Sequence, residues 1–193
     1  MSRISTISGL SKNIPALAII AVVPAVVICI MGGILGSLAL AAQDKYTVKV
    51  PNGLAFSDFR GYENWHDVAV SQTETLVKAI LANDVMINAY RQGVPGNGKL
   101  FPDGSKIVKI EWTAKKNTES PYFVMVPDTL KDVAVIEKDT KRFPDQHGWA
   151  YDVFNYDAAS DTFTPNGSGA SCGYACHTTV AAKDYIFTAY PKR

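Results

Sequence analysis

The sequence has almost no net charge and few residues that commonly bind metals. Its 193 residues contain 19 Lys+Arg against 18 Asp+Glu, with 3 cysteines and 3 histidines. A nearly neutral chain offers no electrostatic case for binding nucleic acid, which needs clustered basic side chains. The sequence also has no internal repeat and no long low-complexity tract. With 47% hydrophobic residues it can build the core of one domain, so its chemistry has to come from a few positions.

Charge is missing altogether from a long apolar run near the N-terminus. The run extends from Ile14 to Ala42, with Arg3 and Lys12 before it and no acidic residue until Asp44. Basic residues ahead of an uncharged apolar stretch are typical of membrane-targeting segments. The run is either a signal peptide with a small-residue cleavage sequence at its end, or an uncleaved anchor, because it exceeds the roughly 20 residues that span a bilayer.

Both interpretations export the rest of the chain. We therefore expect residues 1–43 to be a signal peptide or membrane anchor, and residues 44–193 to form a periplasmic domain that is either free or held at the inner membrane. Membrane contact is expected only through residues 14–42, if the segment stays uncleaved. Cys29 lies inside that segment, so the exported domain keeps one cysteine pair.

Short apolar stretches separated by turns predict an α+β domain, built mainly on an antiparallel β-sheet with a few helices. Aromatic residues at spacings of three predict an amphipathic helix over residues 56–70, and a second helix is expected after Asn83. The stretches that predict strands are 43–51 (either an exposed edge strand or the mature terminus), 75–81, 106–112, 122–126 and 149–154.

The strand at 106–112 has two unequal faces. Lys109 and Glu111 share one face with an isoleucine, whereas Val108, Ile110 and Trp112 occupy the other. The second face is the more obvious core side. Composition alone therefore predicts that Lys109 is a solvated strand lysine.

The most informative segment for chemistry is Cys172-Gly173-Tyr174-Ala175-Cys176-His177. Two nearby cysteines followed directly by a histidine can hold haem covalently through two thioethers, with the imidazole on the iron. The usual attachment motif has two residues between the cysteines, whereas this segment has three. We expect the inserted residue to bulge the loop without removing any of the three groups.

Two other interpretations of the segment remain open. Cys172 and Cys176 can form a local disulfide, since Cα atoms four residues apart in a helical turn lie about 6 Å from each other. A zinc site would use the same two cysteines with His177, but it has no clear fourth ligand because His66 and His147 are isolated in the sequence.

Several motifs, taken together in their order, resemble those of the cytochrome P-460 family, and the resemblance covers roughly residues 50–190. This family consists of small exported c-type haem proteins of bacteria, including enzymes of hydroxylamine oxidation and the related β-sheet cytochromes c′. The motifs are Phe101-Pro102-Asp103-Gly104 before the strand with Lys109, Arg142-Phe143-Pro144 before Trp149-Ala150, and Cys176-His177 before Lys183-Asp184-Tyr185-Ile186-Phe187-Thr188.

The resemblance implies a covalently bound haem c with its iron. Cys172 and Cys176 would carry the thioethers, and His177 would be the proximal metal ligand. Lys109 matches the lysine that hydroxylamine-oxidising members cross-link to a haem carbon, and Lys78 aligns loosely with a basic residue of the distal pocket.

The resemblance also implies partners. We expect a small nitrogen compound, hydroxylamine or nitric oxide, at an open distal site, and a soluble cytochrome as the electron acceptor. Whether the chain is a haem oxidoreductase, or a gas-binding or electron-transfer protein without the Lys109 cross-link, stays open. The distal proton acceptor and a homodimer also stay open. The alternative from another class is a haem-free periplasmic structural or binding domain with a Cys172–Cys176 disulfide.

Overall fold

The computed structural model describes residues 42–167 and 169–193, and the side chains of residues 169–172 lie outside that description. The described residues belong to one unit, Ala42–Arg193. The predicted export segment and its boundary at residue 43 therefore lie almost wholly outside the described residues. Within the described ranges, no helix combines the length and apolarity needed to cross a membrane.

The described residues form a six-stranded sheet in which every neighbouring pair is antiparallel and the strand order follows the chain. Such a meander needs only short connections between strands. The prediction of an α+β domain built mainly on an antiparallel sheet is confirmed. The strands are β1 (His66–Gln72), β2 (Leu76–Ala82), β3 (Lys106–Lys116), β4 (Met125–Lys138), β5 (Trp149–Asp157) and β6 (Thr162–Pro165).

Two α-helices and several short 3₁₀ helices complete the unit. Helix α1 (Asp84–Arg91) begins after Asn83, whose side chain accepts a hydrogen bond from the Met86 backbone N at 3.1 Å. This N-cap explains why the helix starts where the sequence predicts it. Helix α2 (Gly169–His177) follows β6. The 3₁₀ helices are Lys45–Thr47, Phe56–Phe59, Tyr62–Asn64, Pro144–Gln146 and Thr178–Lys183.

The sheet buries both of its faces. On one side, which we call the cavity face, Ile80, Ile107 and Tyr151 belong to a core that includes α1 and the C-terminal segment. On the other side, the rear face, residues such as Val108 and Phe154 pack against the N-terminal residues 48–62. Alternation along each strand therefore places apolar side chains on both faces, so the face of Lys109 is not simply the solvent face.

The predicted amphipathic helix over residues 56–70 is wrong. Phe59 and Tyr62 are buried as the aromatic spacing suggested, but they lie in two separate 3₁₀ turns. Gly61, in the left-handed region at φ 79°, separates the two turns. From His66 the chain enters β1 instead, because this segment pairs with β2.

The predicted edge strand at 43–51 is also wrong. Asp44 caps the 3₁₀ helix Lys45–Thr47 by accepting a hydrogen bond from the Tyr46 backbone N at 3.0 Å. Val48 and Val50 are both buried against the rear face, as the period-two pattern suggests. The segment forms only one isolated bridge, between Lys49 and Ala55, and so it is not a strand of the sheet.

The strand predicted at 122–126 begins later than expected. β4 starts at Met125 and continues to Lys138. Tyr122 and Phe123 lie in the loop between β3 and β4, where each is 78% exposed. Neither residue has a pairing partner on β3, because the ladder between β3 and β4 ends at Lys116 opposite Met125.

Candidate functional site

A cavity of about 610 Å³ lies between the cavity face and the C-terminal part of the chain. Ligand pockets typically span about 300–1,000 Å³ and are mostly apolar with a few polar groups. The lining fits that description. The sheet contributes Lys78, Ile80, Ile107, Lys109, Ile136 and Tyr151, and the opposite wall contributes Gly173, Cys176, His177, Ile186 and Phe187.

Helix α2 forms part of this wall because a glycine lets it approach β5 closely. A Cβ placed on Gly173 would lie 2.3 Å from Cβ of Tyr151 and 3.1 Å from its Cγ, closer than side chains can come. Gly173 is one of the three residues between the cysteines. All three lie in the continuous helix Gly169–His177, so the expectation that the extra residue bulges a loop is wrong. Three intervening residues separate the cysteines by about one turn of helix, which accommodates the extra residue without a bulge.

His177 lies at the end of α2 and lines the cavity with its imidazole half-buried. Its Nδ1 is 2.5 Å from the backbone carbonyl oxygen of Tyr185. A carbonyl oxygen can only accept, so Nδ1 carries the hydrogen and Nε2 keeps a lone pair. Burial lowers the pKa of His177, and the positive charge of Lys109 lowers it further against the opposing hydrogen bond to Tyr185. The neutral imidazole is the form that ligates metals.

Two aromatic rings contact the imidazole. The ring of Tyr151 lies 4.2 Å from that of His177, between centroids, and the ring of Phe187 lies 4.8 Å away. The Tyr151 hydroxyl also donates a hydrogen bond at 3.1 Å to the carbonyl that accepts from His177. The orientation of His177 is therefore fixed by packing and by hydrogen bonding together.

The cysteines differ in what can be said of them. Cys176 is exposed, carries a free thiol and lines the cavity directly before His177. Cys172 belongs to α2, but its side chain lies outside the described residues. The structure thus places one predicted thioether residue beside the predicted metal ligand.

Lys109 lies in the opposite wall, where it pairs with Ile80 of β2 and Ala134 of β4. It is not a free solvated lysine, since its side chain is 35% exposed and its Nζ lies 2.5 Å from Oε1 of Glu111. Lys78 reaches the same oxygen at 3.2 Å. Both lysines that the family resemblance singled out therefore meet at one carboxylate.

Glu111 is the residue of this wall that sequence reasoning missed. It is 5% exposed. Burial on its own would raise its pKa, but the hydrogen bonds and charges of Lys109 and Lys78 hold the pKa below its usual value. Glu111 is therefore ionised at neutral pH. The available signal was its position two residues after Lys109, which puts both side chains on one face of β3.

The other two histidines lie away from the cavity. His66 is on the surface, where its Nε2 contacts Oδ1 of Asp84 at 3.0 Å. His147 contacts the Tyr174 hydroxyl through Nδ1 at 2.6 Å. Within residues 42–167 and 169–193, no group of three or more His, Cys, Asp or Glu side chains is arranged to hold a metal ion.

The residues of the cavity fit a haem c better than a bare metal ion. Its lining is largely apolar, as a porphyrin ring requires, and one thiol adjoins an imidazole whose Nε2 is free. A haem needs from the protein one axial nitrogen and neighbouring thiols, rather than a set of four ligands. Cys176 and His177 supply groups of this kind from the described part of the chain.

Comparison with known proteins agrees with this fit. The model of the Cytochrome P460 family matches residues 59–188, which include all six strands and nearly all of the residues that line the cavity. That family implies haem c with its iron. A search of curated proteins found no match to the chain. The family match extends over more than half of the sequence, and the chain therefore belongs to the cytochrome P460 family.

Proposed function

We propose that the chain holds one haem c covalently in the cavity, and that it binds or oxidises a small nitrogen compound such as hydroxylamine or nitric oxide. Cys172 and Cys176 would supply the thioethers and His177 the axial ligand. The observation that carries this proposal is the hydrogen bond from His177 Nδ1 to the Tyr185 carbonyl. It leaves Nε2 as a lone-pair donor on the residue that follows Cys176, and both residues line the cavity.

Each thioether forms by addition of a cysteine S–H across a vinyl C=C bond, so attachment needs no oxidant. When bound, the haem supplies an iron that takes small nitrogen ligands and exchanges single electrons. The chain's own part is to hold and shield the group. Ile80, Ile107 and Ile136 make the sheet wall apolar and exclude water from it.

Two lysine side chains on the sheet wall can donate hydrogen bonds that orient the ligand. Lys78 and Lys109 carry ammonium groups that can donate hydrogen bonds to a bound nitrogen compound. Glu111 contacts both lysines and is ionised. Glu111, which is not among the residues that line the cavity, would hold both ammonium groups in place.

The hydroxylamine-oxidising function and the gas-binding or electron-transfer function differ in the chemical state of Lys109. In a hydroxylamine-oxidising protein Lys109 would be bonded to a haem carbon. Forming that bond removes one hydrogen from Nζ and one from the ring carbon, so it needs a two-electron oxidant such as a peroxide. In a gas-binding or electron-transfer protein Lys109 would have no bond to the haem and would keep its ion pair with Glu111. Peptide mapping distinguishes the two, because only the first yields a haem peptide that contains Lys109 as well as the cysteines.

The activity is tested with the haem-loaded chain, hydroxylamine and an oxidised soluble cytochrome as electron acceptor. We expect hydroxylamine-dependent reduction of the acceptor, and loss of that reduction in Lys109→Met with haem still attached. A change of the visible spectrum on adding nitric oxide, without any reduction by hydroxylamine, would support the gas-binding alternative. Absence of any spectral change with either compound would contradict the proposal.

We also propose that the domain is exported to the periplasm, with residues 14–42 acting as a signal peptide or as an anchor to the inner membrane. The support is the uncharged apolar run itself and the need of covalent haem attachment for an exported compartment. Fractionation of cells that express the chain, followed by N-terminal mass determination of the recovered protein, tests this. Full-length protein in the cytoplasm would contradict export.

A further inference from the structure

The carbonyl oxygen of Tyr185 accepts two hydrogen bonds at once. One comes from His177 Nδ1 at 2.5 Å and the other from the Tyr151 hydroxyl at 3.1 Å. A carbonyl oxygen has two lone pairs and can accept both, but each donor withdraws electron density from the same atom. The two hydrogen bonds therefore compete, and each is weaker than it would be alone.

The position of this carbonyl is set by the neighbouring residue, Asp184, rather than by Tyr151. The Asp184 side chain is 1% exposed, and its Oδ2 accepts a hydrogen bond from Nζ of Lys138 at 2.6 Å. It also accepts from the Phe101 backbone N at 2.7 Å and from Trp149 Nε1 at 3.2 Å. Three buried donors from distant parts of the chain thus fix Asp184.

The backbone at this point is held in an unusual conformation. Asp184 and Tyr185 have φ values of 48° and 61°, both in the left-handed region that non-glycine residues seldom adopt. Such a conformation persists only where surrounding contacts determine it. The contacts of Asp184 do so, and they direct the next carbonyl towards His177.

Tyr151 is built to donate to this carbonyl permanently. The ordinary pKa of a phenol is about 10, so the hydroxyl keeps its hydrogen at neutral pH. Its ring lies against that of His177, and Gly173 leaves room for it beneath α2. The ring of Tyr151 thus contacts the imidazole, while its hydroxyl competes with the imidazole for the Tyr185 carbonyl oxygen.

We propose that Tyr151 is a positioning residue that sets the donor strength of His177 by sharing the Tyr185 carbonyl. The inference rests on the proposed function, in which His177 is the axial ligand. A stronger hydrogen bond from Nδ1 makes an imidazole more basic and a better donor to a metal, which favours the oxidised state. By weakening that bond, the Tyr151 hydroxyl keeps the reduction potential of the centre higher than it would otherwise be.

The test uses the full haem-loaded chain with the substitution Tyr151→Phe. Phe keeps the ring contact, and the Asp184 contacts keep the carbonyl in place, so His177 becomes its only donor among those described. We expect the reduction potential to shift to a more negative value and the iron–histidine stretching frequency, measured by resonance Raman spectroscopy, to rise.

The matched control is Tyr174→Phe. Tyr174 belongs to the same aromatic cluster, but its hydroxyl contacts His147 rather than the Tyr185 carbonyl. We expect both readouts to stay at the wild-type values. An unchanged potential and frequency in Tyr151→Phe, or the same shift in both variants, would overturn the inference. Wild-type protein that carries no haem would instead overturn the proposed function on which the inference depends.

Discussion

Glu111 determines the charge of the sheet wall of the cavity. Its Oε1 contacts Lys109 Nζ at 2.5 Å and Lys78 Nζ at 3.2 Å, so one buried carboxylate pairs with two ammonium groups. A buried charge is tolerated only when it is paired and hydrogen-bonded. The pairing places two donors beside an otherwise apolar cavity without leaving either charge alone.

We expect Glu111→Gln to lower the free energy of unfolding by about 2 kcal/mol, because hydrogen bonds to charged groups each contribute about 1.5–3 kcal/mol and Lys109 is partly screened by solvent. Urea unfolding of the variant and the wild type at neutral pH measures this. The folded-state pKa of Glu111 lies below the ordinary 4.5. The stability that the Glu111 carboxylate adds to the wild type is therefore fully present above pH 4.5, and it disappears as the pH falls through the lowered pKa.

The control for this substitution is Glu74→Gln. Glu74 is exposed between β1 and β2. Substitution of an exposed side chain usually changes stability by no more than about 0.5 kcal/mol, so the control should unfold close to the wild type. If Glu111→Gln were as stable as Glu74→Gln, the buried pairing would not have the role we give it.

Helix α2 brings Cys176 and His177 to the cavity. It packs against β5 at the position where Gly173 faces Tyr151. The three residues between the cysteines thus have a structural role, since they complete a helical turn whose middle contacts the sheet. The sequence motif alone gave no account of the additional residue.

We expect Gly173→Ala to destabilise the protein by about 1–3 kcal/mol, although alanine favours helix formation over glycine by about 1 kcal/mol. The added Cβ would lie 2.3 Å from Cβ of Tyr151, so α2 has to move away from β5. Thermal unfolding measures the loss. The control is Ala175→Ser, at an exposed position of the same helix, where we expect a change within about 0.5 kcal/mol. Stabilisation by Gly173→Ala would show that helix propensity outweighs the contact.

The buried pair of Lys138 and Asp184 joins parts of the unit that are distant in sequence. Lys138 ends β4 and Asp184 follows the last 3₁₀ helix, while Phe101 and Trp149 contribute the other donors to Asp184. The C-terminal segment, which carries one wall of the cavity, is attached to the sheet at this point. We infer that the stability of the whole unit and the shape of the cavity depend on it together.

We expect Asp184→Ala to cost about 3–5 kcal/mol, because it leaves the Lys138 charge buried without a partner. Chemical denaturation measures the cost. The matched control is Asp128→Ala, which breaks an exposed pair with Lys115 of similar length, 2.7 Å, and should cost under about 1 kcal/mol. Equal small losses in the two variants would contradict the role of the buried pair.

Much of the sheet could be predicted from local patterns. The strand predicted at 149–154 lies within β5, and the helix expected after Asn83 is α1. These predictions depend on the spacing of apolar residues over a few positions. The region 56–70 was misread because its aromatic spacing fits a helix, whereas pairing with β2, a contact between separate segments, decides its structure.

The candidate site was predictable only in part. Cys172, Cys176 and His177 form a motif within six residues, and Lys109 came from the family resemblance. That Lys109 and His177 face one cavity depends on the register of three strands and on the return of the C-terminal segment across β5. Glu111 and Tyr151 act through contacts with these residues, which no local pattern contains.

Covalent attachment of haem at the cysteine pair is the claim on which the rest depends. It is tested most directly by the intact mass, under denaturing conditions, of the chain produced together with haem-attachment machinery. We expect the mass of the polypeptide plus one haem, with visible Soret absorbance that remains after unfolding. The mass of the bare polypeptide, without Soret absorbance, would contradict the account.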